Sequence, residues 1–195
     1  MQKLTTDDIK DMRAYERERD AFRTEIIATK KRRRIPLGEL MTIVFENTAT
    51  MRFQIQEMAR AERMLKDEQI AHEVDTYNQL IPDPGELSGT LFIEINDTAL
   101  LREWLPKLVG IQDHLGVAVG DDVARARPLD TERLTREDTT TTVHYLKFAF
   151  TPDQQRAFGN AAVRVIVDHP EYQADVTLTH EQRAELASDF AGDSK

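Results

Sequence analysis

Two segments in the second half of the chain alternate between apolar and polar residues, which is the pattern of a strand with one buried face. His144 falls on the apolar face of the first segment, residues 143–150, and His169 on the apolar face of the second, residues 163–169. We therefore expect both imidazoles to face the core or its rim. A chain with two such segments requires a sheet packed on a hydrophobic core.

The connection between these strands, residues 151–161, is short and has the signals of one brief helix, with Thr-Pro at its start and Gly-Asn at its end. A parallel crossover usually needs a dozen or more residues, so this connection favours antiparallel pairing. We predict that His144 and His169 lie on adjacent strands, with their rings on the same side of the sheet.

Such a pair of histidines has two interpretations. They can be core histidines that are hydrogen-bonded to a neighbour such as Asp168 or Tyr172. They can also bind a divalent metal or transfer protons, with Asp168 as the carboxylate that orients an imidazole. His144, Asp168 and His169 are therefore the candidate metal ligands.

Composition excludes several classes of function. None of the 195 residues is cysteine, so the chain itself offers no disulfide, thiolate metal ligand or cysteine nucleophile. Its 26 Lys and Arg against 35 Asp and Glu give a formal net charge of −9, which repels nucleic acids and anionic lipid surfaces. No apolar run approaches the roughly 20 residues that cross a bilayer. We expect a cytoplasmic protein that binds neither nucleic acid nor membranes.

The remaining patterns predict an α+β fold, with a mainly antiparallel sheet packed against two long helices in the N-terminal half and several shorter helices. We expect a single domain over residues 1–195, with an N-terminal helix within residues 1–34 and a frayed tail at 191–195. The second long helix is predicted from Thr48 to Tyr77. Further strands are predicted at residues 40–46, 90–95 and 115–119, with later helices at 97–108 and 179–190.

The basic run Lys30–Arg34 ends the first predicted helix. One interpretation is a patch that binds an anion or RNA. We favour the other, in which these cations complement the helix dipole on a solvated face.

Charged residues interrupt the apolar stripe of each long helix. Arg19 lies within the stripe of the first and Glu62 within that of the second, and because a buried charge is costly unless paired, we predict an Arg19–Glu62 bridge. Glu57 and Arg60 are one turn apart on the second helix, where a surface bridge is the simpler explanation. Glu57, Arg60 and Glu62 are nevertheless candidate ligand-binding residues.

Six segments carry a resemblance to a known family: residues 30–33 (KKRR), 52–58 with Arg60 and Glu62, 77–82 (YNQLIP), 108–111 (LVGI), 144–148 (HYLKF) and 168–172 (DHPEY). With them, the chain resembles a bacterial family known as domain of unknown function 3501, over nearly everything up to Tyr172. The resemblance implies an accessory role in a redox or peroxide-defence system, beside a rubrerythrin-like di-iron protein and an Fe–S oxidoreductase. Its segments also supply the candidate ligand-binding residues Tyr77, Asn78 and Tyr172.

Two hypotheses follow. In the first, the chain is an accessory protein that binds redox proteins through its acidic surface, and the polar residues in its core only fix the packing. In the second, it is an enzyme or sensor in which Glu57 or Glu62 joins His144 and His169 around a metal or a small ligand. The sequence leaves open whether a reaction occurs, which cofactor it would use and what the oligomeric state is.

Overall fold

The computed structural model describes residues 1–129, 135–136 and 139–190, with the backbone alone at 135–136. The predicted frayed tail at 191–195 lies outside the described residues. The α-helices are α1 (Met12–Arg33), α2 (Thr48–Ala61), α3 (Asp67–Asn78), α4 (Thr98–Lys107), α5 (Pro152–Phe158) and α6 (His180–Ala187). The strands are β1 (Arg34–Leu37), β2 (Met41–Glu46), β3 (Glu86–Ile93), β4 (Leu115–Val119), β5 (Asp122–Pro128), β6 (Thr135–Arg136), β7 (Thr139–Thr140), β8 (Val143–Ala149), β9 (Val163–His169) and β10 (Tyr172–Thr177).

Eight of these strands form one sheet in the order β1-β2-β3-β8-β5-β4-β9-β10, and every neighbouring pair is antiparallel. The predicted α+β class with a mainly antiparallel sheet is therefore confirmed. β6 and β7 pair separately.

The predicted pairing of the two histidine strands is wrong, because β5 and β4 lie between β8 and β9. β4 and β5 form a hairpin that occupies the two intervening positions, and β9 pairs with β4 instead. The connection through α5 therefore crosses three strand spacings, roughly 14 Å, along one end of the sheet. The length of a connection limits how far apart the two strands it joins can lie, but it does not determine whether those strands pair with each other.

The sheet curls around the main hydrophobic core, to which all eight of its strands contribute. Its two edges, β1 and β10, contact each other. The Tyr172 hydroxyl donates a hydrogen bond to the Leu37 carbonyl oxygen at 2.5 Å and accepts one from the Leu40 amide at 3.2 Å. A side chain thus bridges the gap between the edges.

Helices cover only part of the outer face of the sheet, the part that includes β2. α1 packs against β2, α2 and α6, and α2 packs against α3. β2 is consequently buried on both faces, from Met41 to Glu46. Among the described residues, no helix is long and apolar enough to cross a membrane.

The predicted helix from Thr48 to Tyr77 is wrong, since it is two helices joined by a tight turn. Arg63 adopts a left-handed conformation with φ of 52°. The Met64 amide donates to the Ala59 carbonyl oxygen at 2.9 Å, and the Arg63 amide to that of Arg60 at 3.3 Å. These two bonds are the Schellman motif, which usually has glycine at the left-handed position. The absence of glycine here is why the sequence pattern suggests a continuous helix.

The favoured interpretation of the basic run is wrong for Arg33, which is 0% exposed. Its guanidinium donates to the Phe45 carbonyl oxygen at 2.8 Å and to that of Glu46 at 3.3 Å. It also pairs with Asp189 and, at 3.3 Å, with Glu185. Only its neighbours in the run remain accessible, so the C-terminal end of α1 is anchored inside the protein.

Candidate functional site

His144 is buried on the core face of β8, as its alternation predicts. Its Nε2 lies 3.1 Å from Thr140 Oγ1 and 3.1 Å from the Thr141 carbonyl oxygen. Burial lowers the pKa of the imidazole, because the charged form would lose its hydration. Burial therefore favours the neutral imidazole, and the segment before β8 fixes the position of the ring through its hydrogen bonds.

His169 is also buried, on the core face of β9. Its Nε2 lies 3.1 Å from the Val109 carbonyl oxygen, and its Nδ1 accepts a hydrogen bond from the Glu171 amide at 3.2 Å. The ring of His114 contacts it edge to face at 4.9 Å between centroids. Both ring nitrogens are thus used within the chain, and no lone pair is left for a metal.

Asp168 does not orient either predicted partner. Its side chain is exposed on the outer face of the sheet, opposite His169, where Oδ2 accepts from Arg125 at 2.5 Å and Oδ1 lies 3.3 Å from His114 Nδ1. The Arg125 hydrogen bond lowers the pKa of this carboxyl. Asp168 is therefore part of a surface ion pair.

The structure thus does not bring the three candidate metal ligands together. In the part of the chain that the structure describes, no three His, Asp or Glu side chains are arranged to hold a metal ion. Neither can Glu57 or Glu62 join the histidines, since α2 packs on the outer face of the sheet and the histidines lie on the core face.

Glu57 joins α2 to α1. Its Oε1 accepts from Arg19 Nε and from the Tyr15 hydroxyl, and its Oε2 accepts from Arg19 Nη2, each at 2.8 Å. The bidentate Arg19 contact lowers the pKa of Glu57, whereas burial, followed by the bond to Glu57, raises that of Tyr15. Arg60, one turn further along α2, pairs with Glu16 of α1. Glu57 and Arg60 therefore fix the packing of two helices.

The predicted Arg19–Glu62 bridge is wrong, because Glu62 is the C-terminal cap residue of α2 and is exposed. The helix ends where the apolar stripe was expected to continue. The turn instead presents Leu65, which is 82% exposed. Leu65 borders a groove of about 220 Å³ whose apolar lining is Ile9, Met12, Tyr15, Ala59, Met64, Leu65 and Ile70.

Asn78 and Tyr172 have structural contacts. The Asn78 side chain accepts from the Leu4 amide and donates to the Leu4 carbonyl oxygen, both at 2.8 Å, so it holds the N-terminal segment. The Tyr172 hydroxyl closes the sheet edges, and its ring packs edge to face on Trp104.

Tyr77 has different surroundings. It lines a small cavity of about 120 Å³ with Thr76, Gln79, Leu80, Leu129 and Tyr145. Its hydroxyl is hydrogen-bonded with Gln54, and burial raises its pKa. Residues from two of the segments that carry the family resemblance, 77–82 and 144–148, line this cavity.

A polar row lies beside this cavity on the outer face of β2, β3 and β8. The register places Glu46 opposite Ser88 and Ser88 opposite Lys147. The Lys147 ammonium lies 2.7 Å from Asp83 and 3.0 Å from Glu86. These bonds raise its pKa although burial alone would lower it, and with Lys3 it lowers the pKa of Asp83 to about 2.

Sequence reasoning missed Glu46, Tyr145 and Lys147. All three are at outward-facing positions of strands whose other face fills the core. Such positions are normally exposed to solvent. The available signal was the apolar run at residues 43–45, directly before Glu46, since a strand buried on both faces also buries the charge at its end.

These features define an α+β protein with a curled, eight-stranded antiparallel sheet that helices cover on part of its outer face. Three of its buried polar residues, His144, His169 and Arg33, bond to backbone carbonyl oxygens of the chain itself. The chain belongs to the family described as Protein of unknown function (DUF3501), which matches residues 3–190. It is also similar to a crystal structure described as a novel protein of unknown function from Burkholderia pseudomallei K96243. The two are 32% identical with a TM-score of 0.89, over 96% of this chain and 99% of that one. A comparison with curated proteins found no match.

Proposed function

We propose that this chain is a cytoplasmic accessory protein that binds a partner protein through the Leu65 turn and its adjoining groove. The observation that carries the proposal is the exposure of Leu65, at 82%, beside a groove that has both apolar and charged side chains in its lining. Leaving a leucine in water forgoes roughly 1.5–3 kcal/mol of burial. The turn that presents it also uses an arginine in the left-handed conformation, so the backbone accepts a further cost there.

The contacts of the buried polar residues support binding rather than catalysis. His169, Arg33 and Glu57 each bond to groups of their own chain that fix the packing. Two strands lie between those of His144 and His169, which removes the argument from adjacent strands for a shared metal or proton-transfer centre. An accessory role requires no such centre.

The partner we propose is a redox protein with a basic face. The family resemblance suggests two, a rubrerythrin-like di-iron protein and an Fe–S oxidoreductase. A formal charge of −9 favours encounter with a basic surface and makes the association rate fall as salt increases. Leu65 and the apolar part of the groove then supply the desolvated contact that slows dissociation.

The test is binding of purified candidate partners to the wild type and to Leu65→Ser, measured by calorimetry. We expect saturable binding of one of them, weakened at least tenfold by the substitution. Ile27→Ser is the matched control, since Ile27 is another exposed apolar residue, 53% exposed, on α1. Absence of wild-type binding to both partners, or equal affinity in Leu65→Ser, would refute the proposal.

A further inference from the structure

Two pairs of outward-facing residues lie next to each other where β5 pairs with β8. Arg127 lies directly opposite Lys147 in the register. Two residues further along β5, the Leu129 amide donates a hydrogen bond to the Tyr145 carbonyl oxygen at 3.0 Å. Because side chains alternate along a strand, a pair of cations is followed on the same face by a leucine and a tyrosine.

The two cations need compensation, since like charges directly opposite each other on neighbouring strands destabilise a sheet. Two carboxylates supply it. Lys147 Nζ lies 2.7 Å from Asp83 and 3.0 Å from Glu86, and Asp83 also pairs with Lys3 at 2.9 Å. Two carboxylates for three cations leave this patch with one net positive charge, although the whole chain has a formal net charge of −9.

Arg127 is the cation whose donors are least used. Its side chain is 67% exposed, and one contact at 3.3 Å joins its Nη2 to Glu86. A guanidinium has five N–H donors, and the others of Arg127 have no acceptor in the described part of the chain. Their planar arrangement matches a carboxylate, which can accept two parallel hydrogen bonds from one arginine.

Two cavities adjoin at this place. The three cations line an open depression of about 500 Å³, and Tyr77 and Tyr145 line the cavity of about 120 Å³ described above. Gln79 and Leu129 belong to both linings, so a ligand can extend from one space into the other. Burial raises the pKa of both tyrosines, so their hydroxyls keep their protons at neutral pH and do not repel an anion.

We propose that Arg127, Lys147, Leu129 and Tyr145 bind a small carboxylic acid with an apolar body. Arg127 donates to the carboxylate, Lys147 adds positive charge, and the body of the ligand lies between Leu129 and the two tyrosines. The volume of about 120 Å³ suits a body of a few carbon atoms. This site is separate from the Leu65 groove and does not depend on the proposed partner.

The experiment is a titration of the full chain with sodium isovalerate at constant ionic strength, followed by two-dimensional amide NMR. Each of two comparators lacks one half of this ligand, since acetate has almost no apolar body and isoamyl alcohol has no charge. We expect saturable shifts around Arg127 and Tyr145 with isovalerate, and at least fivefold weaker binding of either comparator. Absence of saturable shifts with isovalerate, or equal affinity for a comparator, would overturn the site.

Arg127→Gln should weaken isovalerate binding at least fivefold, since it removes the donors to the carboxylate. The side chain is largely exposed, so the variant keeps the core intact. Arg125→Gln is the matched control, because Arg125 faces outward on the same strand and also pairs with a carboxylate, Asp168, but lines neither cavity. Unchanged affinity in Arg127→Gln would refute the assignment.

Leu129→Ser tests the apolar half of the site and should bring the affinity for isovalerate close to that for acetate. Val123→Ser is its control, since Val123 is another outward-facing apolar residue of β5, 37% exposed. Equal affinity in Leu129→Ser and the wild type would contradict the proposed position of the apolar body. Leu65→Ser should bind isovalerate like the wild type, which separates failure of this site from failure of the proposed partner surface.

Discussion

Helix α1 is anchored by an arginine near each end, and the two arginines lie at different depths. Arg33, at the C-terminal end, is 0% exposed and donates to two backbone carbonyls and two carboxylates. Arg19, in the N-terminal half, keeps 22% of its side chain exposed and pairs with Glu57, whose side chain is 26% exposed. The deep arginine links α1 to β2 and α6, and the shallow one links it only to α2.

The difference shows what makes a buried charge tolerable. Arg33 has left water completely, so its donors must all be satisfied by fixed groups, including the backbone of β2. Arg19 and Glu57 remain partly hydrated and can exchange each other for water at modest cost. The same residue type therefore has a different energetic role at each end of one helix.

The largest expected effect comes from the deep end. Arg33→Met should lower the free energy of unfolding by about 3–5 kcal/mol, because it leaves Asp189 buried without a counterion. Chemical denaturation of the purified variant measures this. Adding Asp189→Leu should restore only part of the loss, since the Phe45 and Glu46 carbonyls still lose the donors that Arg33 supplies, while Glu185 keeps Arg32 as a partner. A cost below about 1 kcal/mol for Arg33→Met would erase the contrast between the two ends.

At the shallow end, Glu57→Gln should cost about 1 kcal/mol, the upper range for a partly exposed ion pair. The variant also weakens the acceptor of the Tyr15 hydroxyl. A double-mutant cycle with Arg19→Met measures the coupling between the two side chains. A coupling as large as that between Arg33 and Asp189 would show that depth does not decide the energy.

A third variant leaves both anchors unchanged. Arg63→Gly should raise the free energy of unfolding by roughly 0.5–1 kcal/mol, because glycine adopts the left-handed conformation without a steric cost. Thermal and denaturant unfolding check the sign. Arg63→Ala, which relieves no backbone strain, is the control, and equal stability of the two variants would remove the strain argument.

The smallest effect is a pH dependence at the shallow end. The Arg19 hydrogen bond lowers the pKa of Glu57 below its ordinary value of 4.5 in the folded state. The unfolded state therefore takes up the proton first, and the contribution of this bridge is present above pH 4.5 and is lost as pH falls through the folded pKa. The stability difference between wild type and Glu57→Gln should shrink from pH 6 to pH 3. A constant difference over that range would contradict the assigned pKa shift.

Local patterns predicted what depends on neighbours in sequence. The alternation around His144 and His169 identified the buried faces of both strands, since period two is fixed by the backbone. The alternation could not predict the positions of these strands in the sheet, because the hairpin that lies between them, β4 and β5, comes from an earlier part of the chain. The interrupted stripe at Arg19 indicated a paired charge, but naming Glu62 required α2 to continue past Ala61.

The rest of the candidate site depends on contacts that are distant in sequence. In the sequence, Arg33 is indistinguishable from the other cations of its basic run. Its burial follows only from its contacts with β2 and with the residues in and after α6. In the sequence, Glu46 is the polar end of an ordinary strand, and its burial follows only once helices cover the outer face of β2. That its Oε2 has no hydrogen-bond partner within the described part of the chain follows only from the complete hydrogen-bond arrangement, which no local pattern encodes.

The bond from Tyr172 to Leu37 has a consequence for how the chain is made. It joins positions 135 residues apart, so the first strand emerges from the ribosome long before its closing partner. Until β10 is synthesised, β1 is an unprotected edge that can pair with another nascent chain. The curled sheet is thus sealed only after β10 has been made, and α6 with the turn after it then delivers the carboxylates that Arg33 requires.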